Sequence, residues 1–188
     1  MSLMLAAVLI ARLPLVVQTY DTAGVSSTVL THAQELAAST LAAAGIDPVW
    51  RPCPVKHVGH ADVCVVKPRA RELDVRIVRA TDAAARGSLG FAFVDVEERA
   101  GTLATIYLDR IDALARQAGV DSGDLLGRAI AHEIGHLILG TNAHAAYGLM
   151  RASWKTDELR RNCPLDWMFS RREAADMRRN LSERPPVR

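Results

Sequence analysis

The chain has 188 residues, of which 49% are hydrophobic and 23% charged, with a mean hydropathy of +0.07 and a formal net charge of +2. This length gives one domain with a real core, and the near-neutral charge gives no reason to expect a nucleic-acid partner. From Arg151 onward Lys and Arg outnumber Asp and Glu by ten to six, but they are spaced as the polar sides of helices, which is the pattern of a solvated face.

Residues 2–11 (SLMLAAVLIA) form an apolar run too short to span a bilayer, so no stable membrane insertion is expected. The segment 1–14 reads either as the remnant of an export signal or as part of the first buried element. Residues 15–20 (LVVQTY) read as a strand, and 21–27 as a turn that ends in a helix cap. In 27–44 the apolar positions Val29, Leu30, Ala33, Leu36, Ala37, Leu41 and Ala44 fall at helical spacing, and Gly45 stops the run. A short strand is expected at 49–51. Cys53 and Cys64 then flank a loop that contains Pro54, Gly59 and two histidines. In an oxidising compartment they would pair and close this loop; free thiols, or a metal site shared with His57 and His60, are the alternatives. Cys163 is left as a lone thiol.

Residues 72–79 (ELDVRIVR) alternate, with Leu73, Val75 and Ile77 on one face and charges on the other, which is a half-buried strand. Further strands are expected at 90–96 and 103–108, with a loop at 83–88 before the first of them. A short helix at 111–118 and a break at 119–123 follow.

The next helix carries His132-Glu133-Ile134-Gly135-His136. Residues four apart share a helix face, so His132 and His136 can aim two imidazoles at one ion. Glu133 lies beside them, placed to serve a water and not to ligate. A catalytic zinc takes three protein ligands and keeps one position for a water of lowered pKa, from which a nearby carboxylate can take a proton. HExxH on a helix is the zinc-peptidase signature with this logic. The context is helical: Leu125, Leu126, Ala129, Ile130, Ile134, Leu137 and Ile138 make an apolar stripe. Asp121 or Ser122 can cap the start, Asp124 suits the first turn, and Gly140 stands where a left-handed stop is expected. After it come a short helix at 154–161, a break at Cys163-Pro164, and a last helix at 171–181 with Ser170 and Glu173 as a capping box. Residues 182–188 read as a flexible tail.

The tail of the motif, HEIGHLILGTNAHAAYGLM, resembles the metzincin clan of zinc peptidases, whose pattern is HExxHxxGxxH followed by a methionine in a turn. Here the gaps before the glycine and before the third histidine are each one residue longer. The resemblance implies His132, His136 and His144 as ligands of one catalytic Zn2+, Glu133 as general base and Met150 as the turn methionine. It also implies the fold: an α+β zincin domain over residues 15–181, with a twisted mixed sheet of about five strands, an active-site helix and a helical C-terminal subdomain. In that family residues 90–96 would be the sheet's edge strand, along which a peptide substrate pairs, and Ala152-Ser153-Trp154 would wall the pocket beside the scissile bond. Gly140-Thr141 with Tyr147-Gly148 is also similar to the deuterolysin-like peptidases, although the aspartate ligand of that group is missing here. Tyr147 could donate to an oxyanion or pack its loop. In the thermolysin-like clan a later glutamate is the third ligand, and Glu158 lies at a plausible remove. The expectation is a monomeric zinc endopeptidase acting on peptides or proteins, exported to a secreted or periplasmic location, with the cytoplasm as the alternative. A zinc-containing binding module without turnover and a hydrolase of non-peptide amides remain open.

Overall fold

The computed structural model describes residues 12–54, 71–80 and 87–184. The apolar run 2–11, the loop that holds Cys64 and most of 83–88 lie outside the described residues. The elements of the described residues follow in the order β1 (Leu13–Asp21), α1 (Ser27–Ala43), β2 (Ile46–Pro52), β3 (Glu72–Val78), β4 (Gly90–Asp95), β5 (Ala100–Tyr107), α2 (Leu108–Ala118), α3 (Ser122–Leu139), α4 (Thr156–Arg161), a 3-10 turn (Pro164–Trp167) and α5 (Arg171–Glu183).

Five strands form one mixed sheet in the order β2-β1-β3-β5-β4. The pairs β1–β2, β1–β3 and β3–β5 are parallel, and β4 runs antiparallel to β5 at one edge. Parallel neighbours need crossovers, and α1 supplies the one between β1 and β2. The alternation read in 72–79 is what places Leu73, Val75 and Ile77 wholly out of solvent. On β1 the same role falls to Leu15 and Val17. The expected edge position of 90–96 is observed for β4, and its pairing breaks register between Phe93 and Val94.

Helix α3 runs through the middle of the molecule, against α1, α2, α5 and the strands β4 and β5. The sequence suggested one apolar stripe; instead every residue from Leu125 to Leu139 is buried. A helix surrounded on all sides needs small or apolar residues all round, and Gly127, Ala131 and Gly135 supply them where the stripe does not. Its start is capped by Asp121, whose carboxylate accepts from the Asp124 N–H at 3.0 Å. Its end is Gly140 in the left-handed region, φ 65°.

Several boundaries shift. β2 extends through Pro48 and Pro52, which an edge strand tolerates because one side of its backbone needs no ladder donor. α2 begins three residues early, at Leu108, without a side-chain cap to announce it. α4 begins at Thr156, which leaves Trp154 outside the helix. α5 passes Leu181 to Glu183, and Arg184 beyond it donates to the Leu137 carbonyl at 2.7 Å. Cys53 is buried with Sγ 3.4 Å from Gln18 Oε1, and its expected partner Cys64 lies outside the described residues. Cys163 is free.

Candidate metal centre

Residues 132, 133 and 136 are held by α3 and residue 144 by the loop that follows Gly140. His132 and His136 are buried and His144 is exposed. Their ring nitrogens converge, all lying within 4.8 Å of one another. His136 Nε2 is 3.1 Å from His132 Nε2 and 3.3 Å from His144 Nε2. Tetrahedral zinc with Zn–N bonds of about 2.0–2.1 Å separates its ligand nitrogens by roughly 3.3–3.4 Å, so the spacing fits such an ion.

The backbone settles which nitrogens face inward. His132 Nδ1 donates to the Leu149 carbonyl at 2.9 Å and His136 Nδ1 to the Thr141 carbonyl at 2.8 Å. A carbonyl only accepts, so both rings carry their proton on Nδ1 and turn an Nε2 lone pair toward the centre. Burial pushes His132 down to about 4, against the favourable Leu149 carbonyl and with help from the neighbouring His136 and His144. His136 is lowered as well, again chiefly by burial. Two neutral rings with facing lone pairs cannot hydrogen-bond to each other; a cation between them is the partner that this donor set lacks. Backbone carbonyls on metal-ligating histidines are the usual outer support. Neither Leu149 nor Thr141 could be read as a site residue from the sequence, because the contributing atom is a carbonyl that every residue has.

Glu133 is buried beside the histidines, and burial pushes its carboxyl up to about 8. It faces the start of the edge strand: a Cβ built on Gly90 would sit 3.1 Å from Glu133 Oε1. The groups open into a cleft of about 530 Å³. Its upper rim is residues 87–92, and its far wall includes the expected Ala152, Ser153 and Trp154, together with Arg151. The Trp154 indole meets the His132 ring edge-on at 5.7 Å, and its N–H donates to the same Leu149 carbonyl at 3.4 Å. Behind it Trp167 packs against Trp154, with the Arg128 guanidinium 4.2 Å from the Trp167 ring centre.

No protein-family model matches the chain, and no curated protein matches it. Among solved structures it is similar to a zinc-dependent peptidase from Methanocorpusculum labreanum, with a TM-score of 0.58 and 14% identity over 86% of this chain and 99% of that one. It is also similar to archaemetzincin from Methanopyrus kandleri, with a TM-score of 0.54 and 16% identity over 92% of this chain and 97% of that one. The α+β fold expected from the sequence is therefore the fold of known zinc peptidases.

The remaining candidates separate. Met150 is 1% exposed and lies under α3, with its sulfur 2.7 Å from where a Cβ on Gly135 would be. Tyr147 is 70% exposed and does not line the cleft. Glu158 is not brought to the histidines. Its carboxylate accepts from the Lys155 N–H at 2.9 Å at the head of α4 and pairs with Arg151 at 3.3 Å.

Proposed function

We propose that the chain is a zinc-dependent peptidase, with His132, His136 and His144 as ligands of one ion and Glu133 as general base. The observation that carries this reading is the convergence of three ring nitrogens, two of them fixed as inward-facing acceptors by backbone carbonyls, next to a buried carboxyl in an open cleft. The names of the two similar structures point the same way. When bound, zinc supplies a water of lowered pKa and a positive charge near a developing oxyanion.

The chain's own residues do the rest. The Leu149 and Thr141 carbonyls keep the two helical rings in the ligating tautomer. Glu133 takes the proton released in the attack. It then passes that proton to the leaving amine. An extended peptide hydrogen-bonds along the free edge of β4, while Trp154 and its neighbours close the other side of the cleft. Met150 supports α3 from below and has no part in proton transfer. We extend the reading to an exported monomer that cuts internal peptide bonds in peptides or proteins.

The test is elemental analysis with a peptide-cleavage assay, on the wild type, His144→Ala and Glu133→Gln. The wild type should hold about one zinc per chain. His144→Ala should lose it or bind it far more weakly. Glu133→Gln should keep it and lose hydrolysis. A zinc-loaded Glu133→Gln protein that still cleaves at the wild-type rate would remove the general base from the scheme. Zinc retained unchanged in His144→Ala would remove the third ligand. Zinc bound with no hydrolysis of any peptide would favour the binding module.

A further inference from the structure

The edge strand β4 carries an unusual side-chain pattern. Its alternate residues Gly90, Ala92 and Val94 turn inward: Gly90 is buried against Glu133, and Ala92 and Val94 pack on the core. The intervening residues face solvent, and two of them are aromatic. Phe91 is 45% exposed and Phe93 70%, with Val96 just beyond at 58%. Exposed edge strands usually carry charges or proline on such positions, because an apolar open edge invites other strands. A contiguous apolar patch at one place on a monomer's surface marks a contact site.

The patch is continuous with the cleft. Phe91 is one of its lining residues, and so are the preceding Gly90 and Glu133. From there the ridge leads away along β4. It is built firmly from behind. The Phe91 ring lies 6.4 Å from that of Tyr107, and the Arg110 guanidinium covers Tyr107 at 4.3 Å. Phe91 and Phe93 sit opposite Thr105 and Leu103 of β5 on one side, while among the described residues β4 has no strand on its other side. A peptide added there alternates its side chains between the two sheet faces, as β4 does. Every second residue of that peptide therefore stands beside Phe91 or Phe93, at the roughly 4.5–5.5 Å spacing of cross-strand neighbours.

We propose that Phe91 and Phe93 form an aromatic selectivity ridge. It makes the cleft prefer extended peptides with large apolar side chains at two alternating positions, on the side of the scissile bond that lies along β4. The inference rests on the peptidase reading and names the substrate class for it.

The test uses quenched-fluorescence peptides of one scaffold, with Leu or Phe against Ser at alternating positions on each side of the cut. The zinc-loaded wild type should favour the doubly apolar peptides in kcat/KM by about tenfold or more, the discrimination an apolar subsite achieves. Phe93→Ser, at a largely exposed position, should bring that ratio close to about one with zinc content unchanged. Leu165→Ser, at an apolar position 76% exposed on the 3-10 turn, should leave the ratio as it was. Calorimetry with zinc-loaded Glu133→Gln, which binds without turnover, should show the same ratio in affinity. A wild-type ratio near one, or a ratio that survives Phe93→Ser, would overturn the ridge while leaving the peptidase reading intact. A concentration-dependent dimer that Phe93→Ser dissolves, with peptide preference unmoved, would assign the ridge to a second copy of the chain and overturn it too. Zinc-loaded protein that neither cleaves nor binds any peptide would fell the peptidase reading, and the ridge with it.

Discussion

Gly135→Ala tests how tightly the support beneath α3 is packed. Helix propensity alone favours the change by about 1 kcal/mol, since alanine is the best and glycine nearly the worst residue in a helix interior. Packing opposes it. The new methyl would stand 2.7 Å from Met150 Sδ and 2.7 Å from Phe169 Cε1, with Phe169 Cζ at 3.2 Å. Both neighbours are closed in, Met150 being 1% and Phe169 8% exposed. The two segments that carry them are tied together, since Leu149 N–H donates to the Met168 carbonyl at 3.0 Å, and the first is closed on itself by Ala145 N–H donating to the Met150 carbonyl at 2.8 Å. Extra volume in such a place costs about 1–3 kcal/mol. The net expectation is a loss of about 1 kcal/mol in the metal-free protein, which for this length lowers Tm by roughly 2–4 °C. A second effect follows from the same movement. If Met150 withdraws, Leu149 moves with it, and the Leu149 carbonyl orients His132. Loss of such outer support weakens a metal site by about 10–100-fold, and the lower end is expected here. Urea unfolding with chelator present measures the first effect; competition for zinc against a chromophoric chelator measures the second. A variant that is more stable by the full propensity gain, with unchanged zinc affinity, would refute the argument.

Two further predictions concern regions away from the centre. His32 on α1 faces the head of α3, where its Nε2 donates to Asp124 Oδ1 at 2.7 Å, with Asp121 at 3.9 Å. The Asp124 hydrogen bond is the main cause that lifts His32 above its usual 6.5, with Asp124, Asp121 and Glu35 charges adding to it. A raised folded-state value means that this brace is fully present below pH 6.5 and is lost as pH rises through the folded value. NMR titration of the His32 ring should show a midpoint above 6.5 that falls in Asp124→Asn; an unmoved midpoint would reject the assignment. The expected Cys53–Cys64 bridge predicts that the unreduced, denatured protein titrates with one thiol, Cys163, of the 3 cysteines in the chain. Finding all 3 reactive before reduction would rule the bridge out.

Helix α3 was legible almost residue by residue, because its signals are local. Asp121 caps it, Gly140 ends it, and the i, i+4 histidines announce themselves by type and spacing. The strand 72–78 was legible for the same reason, since its alternation is complete. What escaped was whatever depends on partners distant in sequence. The sequence of α3 contains small residues on the faces outside the stripe, but nothing local says that α5 and the Met150 loop will close over them. The family resemblance put Trp154 in the cleft wall, where it lies, but nothing local said that it would stand outside α4 and share the Leu149 carbonyl with His132. Glu158 looked like a spare ligand. It is a helix cap and the ion-pair partner of Arg151, a pairing fixed only when the loop folds back. The edge position of β4 came from family resemblance, while the exposure of Phe91 and Phe93 needed the sheet order.

The turn after α3 allows a comparison in which one cost can be isolated. Gly119 and Gly140 close α2 and α3 with nearly the same backbone, φ 67° and 65°, each with ψ 39°. Alanine at either position suffers the left-handed penalty of roughly 1–2 kcal/mol. Their surroundings differ completely. A Cβ at Gly119 would meet nothing within 4 Å, while one at Gly140 would lie 2.2 Å from the Arg99 carbonyl oxygen and 2.5 Å from its carbon. Those are backbone atoms in a turn that is itself constrained, with Arg99 at φ 49° between β4 and β5, so they cannot swing aside as a side-chain tip would. The difference between Gly140→Ala and Gly119→Ala therefore measures the clash alone, expected at about 1–3 kcal/mol. The two variants should also part in function. Relief of the clash displaces Thr141, whose carbonyl holds the Nδ1 proton of His136. Gly140→Ala should thus weaken zinc binding, and Gly119→Ala should not. Equal losses of stability, or equal zinc affinities, would mean that the turn yields freely and that the longer spacing to His144 needs no such rigid corner.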